Sequence, residues 1–249
     1  MITVLMAINK YDAYCPKAIN SILDQTLKDI ELLIIANGPD AEKIKELVLA
    51  VSKNDVRVKV ITSQIGQLAN ALNIGIDNAS FDFIARMDAD DISHASRLEK
   101  QIDYLEINEL DMVGCNARLI DENDKFIEVR KMINGSSIGK AIPFKNTFIH
   151  PSILIKKSIL LKVRGYNSGF NSEDYDLWLR LWRMGIKWNN MDDVLLDYRI
   201  HRSASQRKLL GYAESLGYAV REFMLKKNSI NLLAIFYHFG KALFRAKSE

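Results

Sequence analysis

The strongest constraint on this chain is the way two hydrophobic periods alternate between residues 2 and 91. "ITVLMAI" is a short, β-branched apolar run of the kind a strand buried on both faces requires. "PKAINSILDQTL" follows with Ala18, Ile19, Ile22 and Leu23 at helical spacing and Pro16 suited to a first turn. "IELLIIANGPD" is a second apolar strand, stopped by the turn chemistry of Asn37, Gly38 and Pro39. The pattern repeats through helical "AEKIKELVLAVSK", strand-like "VRVKVIT" and helical "GQLANALNIGIDNA" into "FDFIARMDADD". Strands alternating with helices predict an α/β fold with a mostly parallel sheet and helices on both faces. In such sheets ligands bind outside the carboxyl ends of the strands, which is where Asn37 and the acids Asp88, Asp90 and Asp91 fall.

Two acidic clusters need an explanation. Asp88, Asp90 and Asp91 precede "ISHASRLEKQIDYLE", so one or two of them can be read as helix openers favoured by the macrodipole. Three carboxylates within four residues repel one another, and a divalent cation with its preference for hard oxygen ligands would relieve them. Glu173, Asp174 and Asp176 sit at the start of "SEDYDLWLRLWRMG", whose Leu177, Leu181 and Met184, with Trp178 alongside, form an apolar helix face. An acidic helix start accounts for them equally well on spacing alone. Between the clusters, "DMVGCNARLIDENDKFI" reads as a strand and a hairpin around Glu122, Asn123 and Asp124. "FIHPSILIKKSILLKVRGYN" offers a further strand and short helix, and "VLLDYRIH" a last strand ending in Tyr198, Arg199 and His201.

Composition narrows the function classes. A chain of 249 residues, 48% hydrophobic and 26% charged, is ordinary for a globular protein with one substantial core. A formal charge of +3 is too mild to imply nucleic acid, and no helix-turn-helix, zinc-finger or RRM pattern is present. Cys15 and Cys115 stand far apart without CxxC spacing, which signals neither zinc nor a disulfide framework and fits a reducing compartment. "MITVLMAINKYD" lacks the parts of a signal peptide and no run reaches a membrane span of about 20 apolar residues, so a cytoplasmic location is expected.

Several stretches, taken together and in order, resemble the family 2 glycosyltransferases: "SILDQTLKDIELLII", "GQLANALNIGI", "ARMDADD", "HPSILIKKSIL", "RGYNSGFNSEDYDLWLRL" and "YRIHRSASQ". The resemblance implies a GT-A fold: a Rossmann-like, mostly parallel central sheet flanked by helices, over residues 1–206, with a helical C-terminal extension over 207–249. It implies an inverting transfer of one sugar from a nucleotide diphosphate sugar to a hydroxyl of a glycan or polyprenyl-linked acceptor in capsule, O-antigen or cell-envelope polysaccharide synthesis. The DxD motif would hold Mn²⁺ or Mg²⁺, with Asp90 as metal ligand and Asp88 as its nucleotide-side companion. Lewis-acid neutralisation of the departing diphosphate is the chemistry such a cation supplies. An acceptor hydroxyl needs a base within hydrogen-bond reach, and the family's ED pair implies Asp174 as that base and Glu173 as its orienting neighbour, with the roles exchangeable. Arg199 and His201 would hold the leaving diphosphate through charge-assisted hydrogen bonds. His150, in "IHPS", is assigned to packing or loop positioning.

The chain departs from the family pattern after the second strand. Where many members carry two acids, it reads Ala36, Asn37, Gly38, Pro39. Asn37 can face the nucleotide base through its amide but offers no carboxylate to a uracil N–H, with Asp40 a potential substitute. UDP sugars remain the first expectation, and GDP and TDP sugars stay open. From about Leu209 the chain is amphipathic, with Arg221, Lys226, Lys227, Lys241, Arg245 and Lys247 outnumbering the acids. Two readings stand: these helices pack on the catalytic domain or a second subunit, or they make a peripheral contact with an anionic membrane at its cytoplasmic face. Two rival functions are weaker. A sugar-phosphate nucleotidyltransferase wants a glycine-rich loop where this chain has "NKYDAYCPKA", and a non-catalytic relic would have lost carboxylates that are all present.

Overall fold

The computed structural model describes residues 1–169, 172–201 and 209–246. The chain runs β1 (Ile2–Ile8), α1 (Cys15–Leu23), β2 (Ile30–Asn37), α2 (Ala41–Val51), β3 (Val58–Ser63), α3 (Leu68–Asn78) and β4 (Phe83–Met87). It continues with β5 (Ile92–Ser93), α4 (Arg97–Ile107), β6 (Met112–Ile120), β7 (Phe126–Arg130), α5 (Ser137–Ala141), β8 (Leu154–Lys156) and α6 (Lys157–Lys162). The last elements are α7 (Glu173–Met184), β9 (Trp188–Arg199), α8 (Leu209–Leu225) and α9 (Ser229–Ala246).

Strand order is β3-β2-β1-β4-β8-β6-β9-β5, with β7 paired to the outer part of β6. β3, β2, β1 and β4 are parallel, β8 is antiparallel to both β4 and β6, and β9 returns parallel to β6. The sheet is therefore mostly parallel and mixed at β8. Alternation along β1 divides the core. Val4, Met6 and Ile8 face one cluster with α1 residues Ile19 and Ile22, while Leu5 faces the other with Leu72 and Ile76 of α3. α3 lies so close to β1 that a Cβ on Gly75 would come within 2.0 Å of Leu5 Cδ1, which is why a glycine stands there. Both cysteines are free, and burial pushes their thiols up to about 11, so neither is a reactive thiol at neutral pH.

Two elements differ from what the sequence predicts. The "DISH" segment forms the short strand β5, paired antiparallel with β9 through Ile92 and Asp197, and not the opening of a helix. β9 begins at Trp188, well before "VLLDYRIH", because the polar "NNMDD" still pairs along β6 across two register irregularities. The expected hairpin is present, with Asp124 in the left-handed region at φ 64°. α8 and α9 form an antiparallel pair on α7: Ser172 Oγ donates to Glu214 Oε2 at 2.9 Å, and Arg221 and Arg183 ion-pair with Asp176 and Glu222. No helix among the described residues is long and apolar enough to cross a membrane. The expected boundary at residues 206 and 207, and Lys247 of the tail, lie outside the described residues.

Candidate active site

The carboxyl ends of β1, β2 and β4 lie along one edge of the sheet, and the turn after Met87 carries Asp88, Asp90 and Asp91. α4 starts only at Arg97, so these acids do not cap its first turn. Their position is fixed from beneath. Arg97 is fully buried, donates from Nη2 to the Arg86 carbonyl at 2.7 Å, and is itself held by Gln101 at 3.0 Å.

One oxygen from each of the three carboxylates can be chosen so that all lie within 4.8 Å of one another. Asp88 ion-pairs with buried Arg86, Asp90 Oδ2 lies 2.8 Å from His201 Nε2, and Asp91 Oδ1 accepts the Arg199 backbone N–H at 2.8 Å. Asp91 Oδ2 is buried with no hydrogen-bond partner among the described residues. Burial, with repulsion from Asp90 and despite Arg86, raises the Asp88 carboxyl; burial and repulsion from Asp88 and Asp90 push Asp91 up further. A compressed set of hard oxygen donors with an orphaned carboxylate oxygen fits a divalent cation.

Arg199 reaches this turn from the end of β9. Its fully enclosed guanidinium donates to the Asp90 carbonyl at 2.8 Å, the Asp121 carbonyl at 2.8 Å and Asp124 Oδ1 at 2.6 Å, and lies 4.2 Å from the Tyr14 ring centroid. These donors serve the turn and the β6–β7 hairpin. His201 is half-buried, with its ring 5.8 Å from Tyr14. Asn37 sits at the same sheet edge with its side chain buried, Nδ2 donating to the Ile35 carbonyl at 3.2 Å. Asp40 beside it is exposed at the head of α2.

α7 brings the second cluster to the same place. Glu173, Asp174 and Asp176 do occupy a helix first turn, as spacing predicts, but they have separate surroundings. Asp176 is a packing anchor, bound by Asn167, Arg180 and Arg221. Asp174 is held by Asn146 Nδ2 at 2.6 Å and the Tyr175 N–H at 2.6 Å, while burial raises its carboxyl. Burial, then repulsion from Asp174, pushes Glu173 up to about 7, against the pull of Arg86.

A cleft of about 670 Å³ joins the two clusters: Arg86 and Asp88 line it together with Glu173 and Asp174. Its far wall comes from α8 and α9 through Tyr212, Ser215, His238 and Lys241. His238 is buried, with Nε2 3.0 Å from the Pro143 carbonyl and 3.2 Å from Tyr175 Oη. His150 also lines the cleft and bonds Tyr166 Oη at 2.8 Å; burial and then Arg86 hold it well below its usual range, so it is neutral. Sequence reasoning passed over Arg86, although a charge inside the apolar run "FIARM" was a visible signal. It also passed over Tyr14 and Asn146, which carry no local signal. Residues 170–171 and 202–206, within the quoted "RGYNSGFNSEDYDLWLRL" and "YRIHRSASQ" stretches, lie outside the described residues.

A Rossmann-like mixed sheet with a DxD turn at its carboxyl edge and an acid pair across the cleft defines the class of GT-A sugar-transfer folds. The family model "Glycosyl transferase family 2" matches residues 3–170, and the chain belongs to that family and is a glycosyltransferase. It is similar to the O-antigen biosynthesis glycosyltransferase WbnJ of Escherichia coli, 48% identical over 98% of this chain and 97% of that one. It is also similar to an Escherichia coli UDP-Gal:alpha-D-GlcNAc-diphosphoundecaprenol beta-1,3-galactosyltransferase, 28% identical over 96% of this chain and 83% of that one. Among solved structures, S. aureus TarS superposes with TM-score 0.70 at 13% identity, covering 96% of this chain and 43% of that chain, a likeness of fold.

Proposed function

We propose that this chain transfers a single sugar, with inversion, from a nucleotide diphosphate sugar to a hydroxyl of a lipid-linked glycan in O-antigen or related surface-polysaccharide synthesis. The observation that carries this is the single cleft in which Asp88 and the Glu173–Asp174 pair face the same space. Asp90 and Asp88, with the orphaned Asp91 oxygen beside them, would hold Mn²⁺ or Mg²⁺. When bound, such a cation neutralises charge growing on the departing diphosphate.

Asp174 acts as general base. Asn146 and the Tyr175 N–H fix its orientation, and geometry comes before pKa in choosing a base. Glu173 beside it orients the acceptor hydroxyl in its ionised form. A single base opposite the leaving group means direct displacement, with no covalent sugar intermediate to accommodate. His201 is the donor available to the leaving diphosphate. Arg199, enclosed as it is, contributes by holding the backbone of Asp90 in place.

A UDP sugar is the first donor to test; the 28%-identical galactosyltransferase is named for UDP-Gal. Its acceptor, a diphosphoundecaprenol-linked sugar, suggests the acceptor class here. We place the reaction at the cytoplasmic face of the membrane, reached by peripheral contact of α8 and α9. Their exposed Met224, Leu225, Leu233, Phe236 and Phe244 support that contact. The test is a thermal-shift panel of UDP, GDP, TDP and CMP with and without Mn²⁺, on wild type and Asp90→Ala. Stabilisation by one nucleotide that needs both Mn²⁺ and Asp90 is the expected result. A shift from no nucleotide would overturn the donor site proposed here.

A further inference from the structure

The lining of the cleft carries both signs of charge: Asp88, Glu173 and Asp174 are the acids, and Arg86, Arg130, Lys131, Lys145 and Lys241 the cations. Arg86 is committed to Asp88. None of Arg130, Lys131 and Lys145 has a carboxylate partner among the described residues. Three separate segments supply the cations other than Arg86: the end of β7, the loop after α5, and α9. The last two meet directly. Phe144, next to Lys145, packs edge-on against Tyr237 with ring centroids 5.7 Å apart, and Lys241 Nζ stands 5.9 Å from the Tyr237 ring.

An apolar surface starts at that corner. Leu233, Tyr237, Lys241 and Phe244 fall at helical spacing along α9, with Phe236 between them, so the cleft lysine is part of one stripe. Phe236 is 65% exposed and Phe244 81% exposed, far more than a packed helix face leaves to water. Cations that line a cleft, three of them without a carboxylate partner among the described residues, and an exposed aromatic stripe continuing from Lys241 match an amphiphile with an anionic head. Lysine and arginine both recognise phosphate oxygens, by charge-assisted hydrogen bonds.

We propose that Arg130, Lys131, Lys145 and Lys241 form a subsite for the diphosphate of an isoprenoid-linked acceptor, with the α9 stripe receiving the first isoprenoid units. This rests on the sugar-transfer reading above and adds to it where the acceptor's non-sugar part is held. The DxD turn is left to the donor and the four cations to the acceptor's diphosphate, and the same cleft holds Asp174 for the acceptor hydroxyl.

Binding of farnesyl diphosphate, farnesol and inorganic diphosphate, measured by calorimetry in EDTA, tests the subsite without any sugar or metal. Wild type should bind farnesyl diphosphate at least tenfold more tightly than either of the other two. Lys131→Ala/Lys145→Ala and Lys241→Gln should each lose that advantage, and saturating UDP with Mn²⁺ should not displace the probe. Equal affinity for farnesol, wild-type affinity in both variants, or displacement by UDP with Mn²⁺ would overturn the proposal. UDP–Mn²⁺ binding, measured on each protein, reports folding and judges the donor site separately, so either reading can fall without the other.

Discussion

The two acidic clusters are alike in sequence and opposite in surroundings. Asp88, Asp90 and Asp91 each touch a protein donor: Arg86, His201 and the Arg199 N–H. Glu173 and Asp174 have amide and backbone support but no cation bonded to them among the described residues, and burial lifts both carboxyls. The helix-opener explanation, offered for both, holds geometrically for the second and fails for the first, which turns into β5. Carboxylates that gather donors and remain crowded suit a cation and a diphosphate. Carboxylates kept short of countercharge suit accepting a proton.

The largest test of that contrast is at the second cluster. Asp174→Asn should lower kcat by about 10³-fold, within the usual span for losing a general base, while UDP–Mn²⁺ binding stays within twofold of wild type. A variant of normal rate would remove Asp174 as base. At the first cluster the split should reverse: Asp90→Ala should abolish Mn²⁺-dependent nucleotide binding and reduce turnover by about 10²-fold. EDTA on wild type should match that loss and add nothing to the variant.

A smaller effect separates the two members of the pair. Glu173 is pushed up to about 7 and is needed ionised, so kcat/KM should rise about tenfold from pH 6 to pH 8. Glu173→Gln should flatten that limb at a lower plateau. If the limb persists in Glu173→Gln and vanishes in Asp174→Asn assayed at its residual rate, the titrating group is Asp174.

The same contrast shows what was readable in the chain. Period-two and helical runs up to Met87 were enough for the parallel half of the sheet, because each strand there is continuous, apolar and followed by its own helix. That Asp88 shares a cleft with Glu173 and Asp174 was readable from the carboxyl-end rule for the first and the family resemblance for the pair. β5 was not readable: two residues carry no period, and their partners on β9 lie about a hundred positions away. Nor was the role of α8 and α9 as a cleft wall, since amphipathic spacing says that a face is buried and not against what. Arg199 looked free for a ligand because its fully enclosed position depends on Asp121 and Asp124, brought near only by the hairpin.

A third buried acid serves as the control for both clusters. Glu31 lies toward the start of β2, away from the carboxyl edge, with Thr3, Ser80 and Lys59 bound to its carboxylate. Burial works to raise it, but Lys59, Ser80 and Thr3 together hold it down at about 2. Its contribution to stability is therefore complete above its ordinary value of 4.5 and is lost as pH falls toward 2. Glu31→Gln should cost about 2 kcal/mol at pH 7 and nearly nothing at pH 2, with turnover unchanged. Glu173 has the opposite sign. Its folded value lies above 4.5, so stability declines as pH rises from 4.5 to about 7, and Glu173→Gln should raise Tm at pH 8 while lowering turnover. Denaturant melts of both variants at the two pH values check the pair together. If Glu173→Gln destabilised at pH 8 as Glu31→Gln does, Glu173 would be a satisfied structural acid and the distinction between the clusters would collapse.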